Sequence, residues 1–281
     1  MSLLVVTTSK YVAPVSVQLT KSRTVKIDRD RKFVKSRTKR FGRDLARFFK
    51  AHRKEMAEDI LRLLGKADVS LVERIMNSLA LNSWKEKVPD IARPYLSAVA
   101  VDGGELTSKQ LGIFSDDILS LMRVRAREWA DSRAAALVGR RVVDGALVES
   151  TTRWAITDST RDLLRDTVMR GLEQGLSPAE LAAQIESSYA MSASRAMNIA
   201  RTEMAMADVA GSMESYRATP GVVGKRWLTA GDDKVSDECL SCEEVGAIAL
   251  DAAFPTGADA PPNHPNCRCA IEPVFEDEME N

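Results

Sequence analysis

Histidine is almost missing from this chain. Two stand among 281 residues, cysteine occurs four times, and aromatics make up only 5%. So few histidines leave little room for Ser-His-Asp or multi-histidine chemistry. No Walker, Gly-rich or His-Glu-x-x-His signature appears either, so the chain is not expected to be an enzyme. No apolar run approaches the roughly 20 residues that span a bilayer. The start, MSLLVVTTSK, lacks a basic n-region and a long apolar stretch, so neither a secretory route nor a membrane partner is expected. The expected milieu is a reducing cytoplasm, where clustered cysteines bind metal more often than they pair. Few aromatics beside abundant alanine, leucine and arginine suit a helical protein with a small-residue core.

Net charge is also missing, with 40 basic residues balancing 40 acidic ones. The average hides an asymmetry. Residues 21–54 hold 15 Lys or Arg against 3 Asp, a net of +12. Such a segment points to a polyanion or an acidic protein surface as partner. The candidate contacts are Lys21, Arg23, Lys26, Arg29, Arg31, Lys32, Lys35, Arg37, Lys39, Arg40 and Arg43.

Periodicity divides the chain. Residues 1–40 read as an extended basic arm, with room for one strand that adds to a partner's sheet. Residues 41–150 read as a helical domain. Phe41, Leu45, Phe48, Phe49, Met56 and Ile60 recur at helical steps, with His52 a boundary residue rather than a ligand. Gly65 is a stop, a second helix fits 69–81, and Ser83–Glu86 reads as the cap of a third. Pro94 predicts a kink or break, and VDGGEL at 101–106 a weak point. Residues 115–139 form the clearest helix of this half, and RRVVDGALVE reads as a turn between short extended pieces. Helices follow near 158–174 and 178–188, the latter with Ser177 and Glu180 as a capping box. A long helix over 192–218 carries small residues for close packing, expected against one of those two. Beyond it KRWLTAG and CAIEPVF read as paired strands around a loop, 231–269, and 276–281 is an acidic tail. The fold class is mainly α, with a helical N-terminal part and a small α+β C-terminal module stapled by a metal.

All four cysteines and one histidine crowd into that loop. Cys239 and Cys242 form Cys-x-x-Cys, and His264 and Cys267 form His-x-x-Cys. Together they give the S/N set of a tetrahedral zinc site, with Cys269 competing with Cys267 for the fourth place. Two disulfides in an oxidising milieu, or four free thiols, are the alternatives. Between Gly231 and Cys269 only six large apolar residues occur, too few to offset roughly 1–2 kcal/mol of backbone entropy per ordered residue. A structural zinc would remove much of that shortfall, so its loss should unfold 231–275 while the helices survive.

Three stretches in one order carry a resemblance: ARTEMAMADVAGSMESY, GVVGKRWLTAGDDKVSDECLSC and PPNHPNCRC. Over about 169–275, and so over a C-terminal domain of 151–275, the chain resembles the Mu F-like minor head proteins of tailed phages, the phage head morphogenesis family. The resemblance implies a structural minor capsid protein that accompanies the portal during procapsid assembly. It would lie inside the head near the portal vertex and packaged double-stranded DNA, after assembly in the host cytoplasm. Major capsid or scaffolding protein are further candidate partners. The alternative is a stand-alone, sequence-independent DNA-binding protein with a zinc-ribbon-like module. Against a DNA-contacting ribbon, 231–269 carries two basic residues, Lys234 and Arg268, among many carboxylates.

Within the matched stretches Arg201 and Glu203 lie two apart on a helix and so point about 200° from each other. An interdomain pairing is expected, with Arg268 taking Glu203 and Asp232 or Asp233 taking Arg201.

Overall fold

The computed structural model describes residues 31–64, 72, 81–144, 146–150 and 154–279. The arm up to Asp30, with Lys21, Arg23, Lys26 and Arg29, the stop at Gly65 and most of the 69–81 helix lie outside the described residues.

Seven helices and five strands follow: α1 Lys32–Leu64, α2 Asn82–Gln110, α3 Asp116–Ala136, β1 Arg140–Val143, β2 Ala146–Glu149, α4 Ile156–Glu173, α5 Pro178–Ser187, α6 Ala193–Ala218, β3 Val222–Leu228, α7 Asp237–Glu244, β4 Ala247–Ala249 and β5 Ala270–Phe275. The molecule is mainly helical, with a small three-stranded sheet near its C-terminus. It divides into two compact units, each built from separate stretches.

The first unit comprises Ser36–Leu96 and Asp131–Arg201. Its core begins on α1, where Phe41, Leu45, Phe49 and Ile60 are fully buried at the expected helical steps. Trp84 of α2 stacks on Phe49 at 5.4 Å and meets Phe48 edge-on at 4.9 Å. His52 is half-buried beside Phe48, with Nδ1 2.8 Å from that residue's carbonyl. Arg195 of α6 is buried without a carboxylate partner among the described residues. Its guanidinium donates to Thr160 Oγ1, Ser159 Oγ and the carbonyls of Ala190 and Ile156, and lies 5.4 Å from the Phe49 ring. Burial draws its pKa down to about 10. Ser177 and Glu180 form the expected capping box of α5. β1 and β2 form an antiparallel hairpin where a turn between extended pieces is predicted.

The second unit comprises the described part of Met1–Lys35 with Ser97–Ala130 and Thr202–Asn281. Here α2 and α6 touch backbone to backbone. A Cβ added to Gly211 would collide with the Ala100 carbonyl, one on Gly103 would stand 2.6 Å from Asp208 Oδ1, and one on Gly104 would press Met122. Thr107 pairs with Ser212 and Ser108 with Ser215, each at 2.9 Å between hydroxyls. The sequence made VDGGEL a weak point, yet α2 runs through it. The glycines are where the neighbouring helix comes close, and packing outweighs their poor helix propensity. The helix also runs through Pro89 and Pro94.

Two further expectations change. Residues 32–40 are the first turns of α1, not an extended arm. They are rich in Lys and Arg, good helix formers, and hold no Pro or Gly. Gly211 and Asp208 of α6 pack on α2, not on the helices near 158–188.

The sheet has order β4–β3–β5, all antiparallel, with Trp227 opposite Ile271 and Lys225 opposite Pro273. The predicted pairing of KRWLTAG with CAIEPVF is thus present. Pro273 sits on an edge strand, where a missing N–H is tolerated. Trp227 is fully buried in a cluster with Leu111, Ile113, Met213, Tyr216, Cys242 and Phe254. The loop module therefore takes much of its core from α6 and from the residues just after α2. Tyr216 seals the arrangement by donating to the Ile271 carbonyl at 3.0 Å.

Candidate metal centre

The site grows from three local structures. Ser236 caps α7, its hydroxyl accepting the Cys239 N–H at 3.3 Å, so Cys239 lies in the first turn with its side chain buried. Residues 264–267 close a turn in which the Cys267 N–H donates to the His264 carbonyl at 3.1 Å. Asn266 adopts φ +59° there, a conformation asparagine tolerates better than most residues. β5 then begins at Ala270 and pairs with β3, which fixes Cys267 and Cys269 just outside the sheet.

These elements bring Cys239, His264 and Cys267 together, their ligand atoms all within 4.8 Å of one another. Cys239 Sγ lies 3.4 Å from His264 Nε2 and 3.7 Å from Cys267 Sγ. The second separation is too long for a disulfide, whose sulfurs are about 2.05 Å apart. It does match the edge of a tetrahedron around zinc, about 3.7 Å for Zn–S bonds of about 2.3 Å. His264 is set for the role. Its Nδ1 is 3.0 Å from the Pro265 carbonyl, which can only accept, so that nitrogen carries the proton. Nε2 is left with a lone pair toward Cys239.

The thiols are not equivalent. Cys267 is drawn down to about 5, first by the Cys269 thiol donating to it and then by backbone N–H groups of Cys269 and Asn263. Cys269 is pushed up, chiefly by that same hydrogen bond, and Cys239 is raised chiefly by burial. Two cysteine sulfurs and an imidazole nitrogen gathered in this way are a donor set that could hold a metal ion.

Cys242 is elsewhere. Residues 237–244 are a helix and not the tight turn that lets Cys-x-x-Cys grip one ion. Three residues along a helix move Cys242 about 4.5 Å up its axis. Its sulfur faces Thr256 Oγ1 at 3.4 Å, inside the Trp227 cluster. Cys269, on the other hand, interacts with both Cys267 and Cys239.

The charged pairs also differ from the expected ones. Arg268 holds Asp232 in a two-pronged contact at 2.5 and 2.6 Å, not Glu203, and draws that carboxyl down to about 2. Both are near neighbours of the cysteine turns, whereas Glu203 is buried on α6. Arg201 is exposed and donates to Asn198 at 3.4 Å, and Asp233 is exposed. The burial of Glu203 beside the exposure of Arg201 follows from their two-residue offset. Sequence reasoning missed Asn263, whose amide donates to Glu238 at 2.7 Å, and Thr229, whose N–H and hydroxyl both bind Glu243. These contacts tie the loop and the end of β3 to α7. Only their proximity in space could have shown them.

Of the basic candidates, Arg31 is buried and paired with Asp208 at 2.6 Å, so it is removed from the exposed set. Lys32, Lys35, Lys39, Arg40 and Arg43 are exposed on α1, and Arg37 is half-buried. No helix among the described residues is long and apolar enough to cross a membrane.

Residues 162–272 match the family model described as Phage Mu protein F like protein. Over that segment, about two fifths of the chain, the protein is similar to this family. The matched segment starts inside α4 and ends in β5, so it contains Cys239, His264 and Cys267 and the whole of α6. No curated protein and no solved structure matches the chain. What lies N-terminal to the Mu F-like segment, including α1–α3 and the hairpin, stands outside that match.

Proposed function

We propose that the protein is a structural minor head protein of a tailed phage, acting with the portal during procapsid assembly, and that zinc staples its C-terminal domain. One observation carries the reading: the Mu F-like match and the Cys–His–Cys cluster fall on the same residues. The family suggests head morphogenesis and a structural rather than catalytic part. Cys239, His264 and Cys267 would hold the zinc, with Cys269 as the fourth donor. The ion would supply a cross-link between α7 and the start of β5, and no reaction is assigned to it. Inside the virion, packaged DNA is the nearest polyanion, and α1 offers it a cationic face. Lys39, Arg43, Arg47, Lys50 and Lys54 recur at three- or four-residue steps. All are exposed, and the row extends about 22 Å at 1.5 Å per residue. The same face suits an acidic portal surface.

The test is co-expression with the portal protein of the same phage and purification under reducing conditions. The proposal expects the chain to travel with the portal ring and to carry about one zinc. Cys239→Ser should lose the metal, while Cys242→Ser should keep it. Less than about 0.2 zinc per chain with the C-terminal domain still protease-resistant would sink the staple. Failure to bind the ring would sink the assembly role.

A further inference from the structure

The two strands of the hairpin bury almost nothing. Val142, Val143, Leu147 and Val148 are 46%, 38%, 57% and 36% exposed. An isolated two-stranded ribbon is marginal in water, and open edges invite further strands. The phase of its hydrogen bonds decides which groups are open. Ser150 donates to the Gly139 carbonyl at 2.8 Å. With the observed register, Arg141 and Val148, and Val143 and Ala146, are then the bonded pairs. Arg140 and Val142 alternate with them and turn their N–H and C=O groups away from β2.

We propose that the outer edge of β1 pairs with β1 of a second copy of this chain, antiparallel about a two-fold axis at Val142. The register is self-complementary. Val142 faces Val142 of the other copy as a hydrogen-bonded pair, and Arg140 of each copy stands against Asp144 of the other. Arg140 is available for this, because its contact with Glu149 is long, 3.5 Å, and Glu149 is held more closely by Lys85 at 2.8 Å. Val142 and Leu147 share one face of the hairpin, so the joined sheet carries a row of four apolar side chains, two from each copy. The β2 edge offers no such match, since its only charge is Glu149. Charge and hydrogen-bond phase thus both select β1 and a like partner.

Cross-linking tests the register in the full chain, with the unaltered protein as control for the native cysteines. Directly opposed bonded residues have Cα atoms about 5.5 Å apart, within disulfide reach. Val142→Cys should therefore give a covalent dimer on mild oxidation, and Leu147→Cys, on the far strand, should not. In sedimentation, Arg140→Glu places like charges at both ends of the contact and should weaken self-association at least tenfold. Val142→Pro should do the same by removing an outward N–H while leaving the β1–β2 bonds intact. A chain that stays monomeric up to about 100 µM, or one in which Leu147→Cys cross-links as well as Val142→Cys, overturns the proposal.

Discussion

Gly211→Ala should destabilise this protein, against the usual effect of that substitution. In an exposed helix interior, replacing glycine by alanine gains about 1 kcal/mol. At Gly211 the new methyl would enter the carbonyl of Ala100, with the Gly104 backbone nitrogen 2.8 Å away. Neither is the end of a flexible side chain, so α2 and α6 must separate. That separation loosens the Thr107–Ser212 and Ser108–Ser215 hydroxyl pairs as well. Overpacking of this kind costs about 1–3 kcal/mol, and more where backbone must move. Taking the upper end and subtracting the propensity gain leaves a net loss of about 2 kcal/mol. In a chain of this size that is a fall in Tm of about 4–8 °C. Gly42→Ala is the internal control. It gains the same propensity, but its new methyl meets Met197 Cε, the end of a flexible side chain, at 2.8 Å. Its Tm should stay level or rise. Thermal unfolding followed by circular dichroism compares the two directly. If Gly211→Ala matched or exceeded the unaltered protein in Tm, the close contact of α2 with α6 would be refuted as the reason for glycine there.

Two more outcomes follow from buried cations. Lys225 is fully buried, its Nζ has no hydrogen-bond partner among the described residues, and burial lowers its pKa. The unfolded chain thus keeps a proton that the folded one releases, so stability should rise with pH through the folded value toward about 10.4. Lys225→Met should add about 1 kcal/mol at neutral pH, despite losing the Phe254 ring contact, and should flatten that rise in urea titrations at several pH values. Arg195→Met should cost about 3 kcal/mol, because it removes four hydrogen bonds around α4 and α6 and takes the guanidinium from the Ala190 carbonyl. Hydrogen exchange should show the first turn of α4 opening; a loss below about 1 kcal/mol would mean the guanidinium's hydrogen bonds contribute little there.

Much of this was legible in the residues. The buried face of α1, the cap of α5, the extent of α6 and the β3–β5 pairing all rest on local periodicity and turn chemistry. The gathering of Cys239, His264 and Cys267 was legible in part, since His-x-x-Cys places two of the three within one turn. The fate of Cys242 was not. Cys-x-x-Cys reads alike in a turn and in a helix, and Ser236 as cap decides for the helix. The two glycines in α2 were equally ambiguous, because a break and a close contact both ask for glycine. The apolar poverty of 231–269 suggested a module held largely by metal. Leu111, Ile113, Met213 and Tyr216 supply the missing core from distant stretches, which no window of sequence reveals. A metal held by the cluster would add to a packed core and not replace one.

The division into two units passes through helices and never through a linker. It cuts α1 after Lys35, α2 after Leu96, α3 after Ala130 and α6 after Arg201. The practical result concerns dissection. No single scission frees either unit whole, so limited proteolysis cannot yield them as separate fragments. A fragment trimmed to 162–272 would keep α6 but lose Ala100, Gly103 and Gly104, leaving Gly211 with nothing to lie against. The segment by which kinship is detected is therefore not a segment that can be excised. Complementation should need both halves of the chain, added together or synthesised in order on one ribosome.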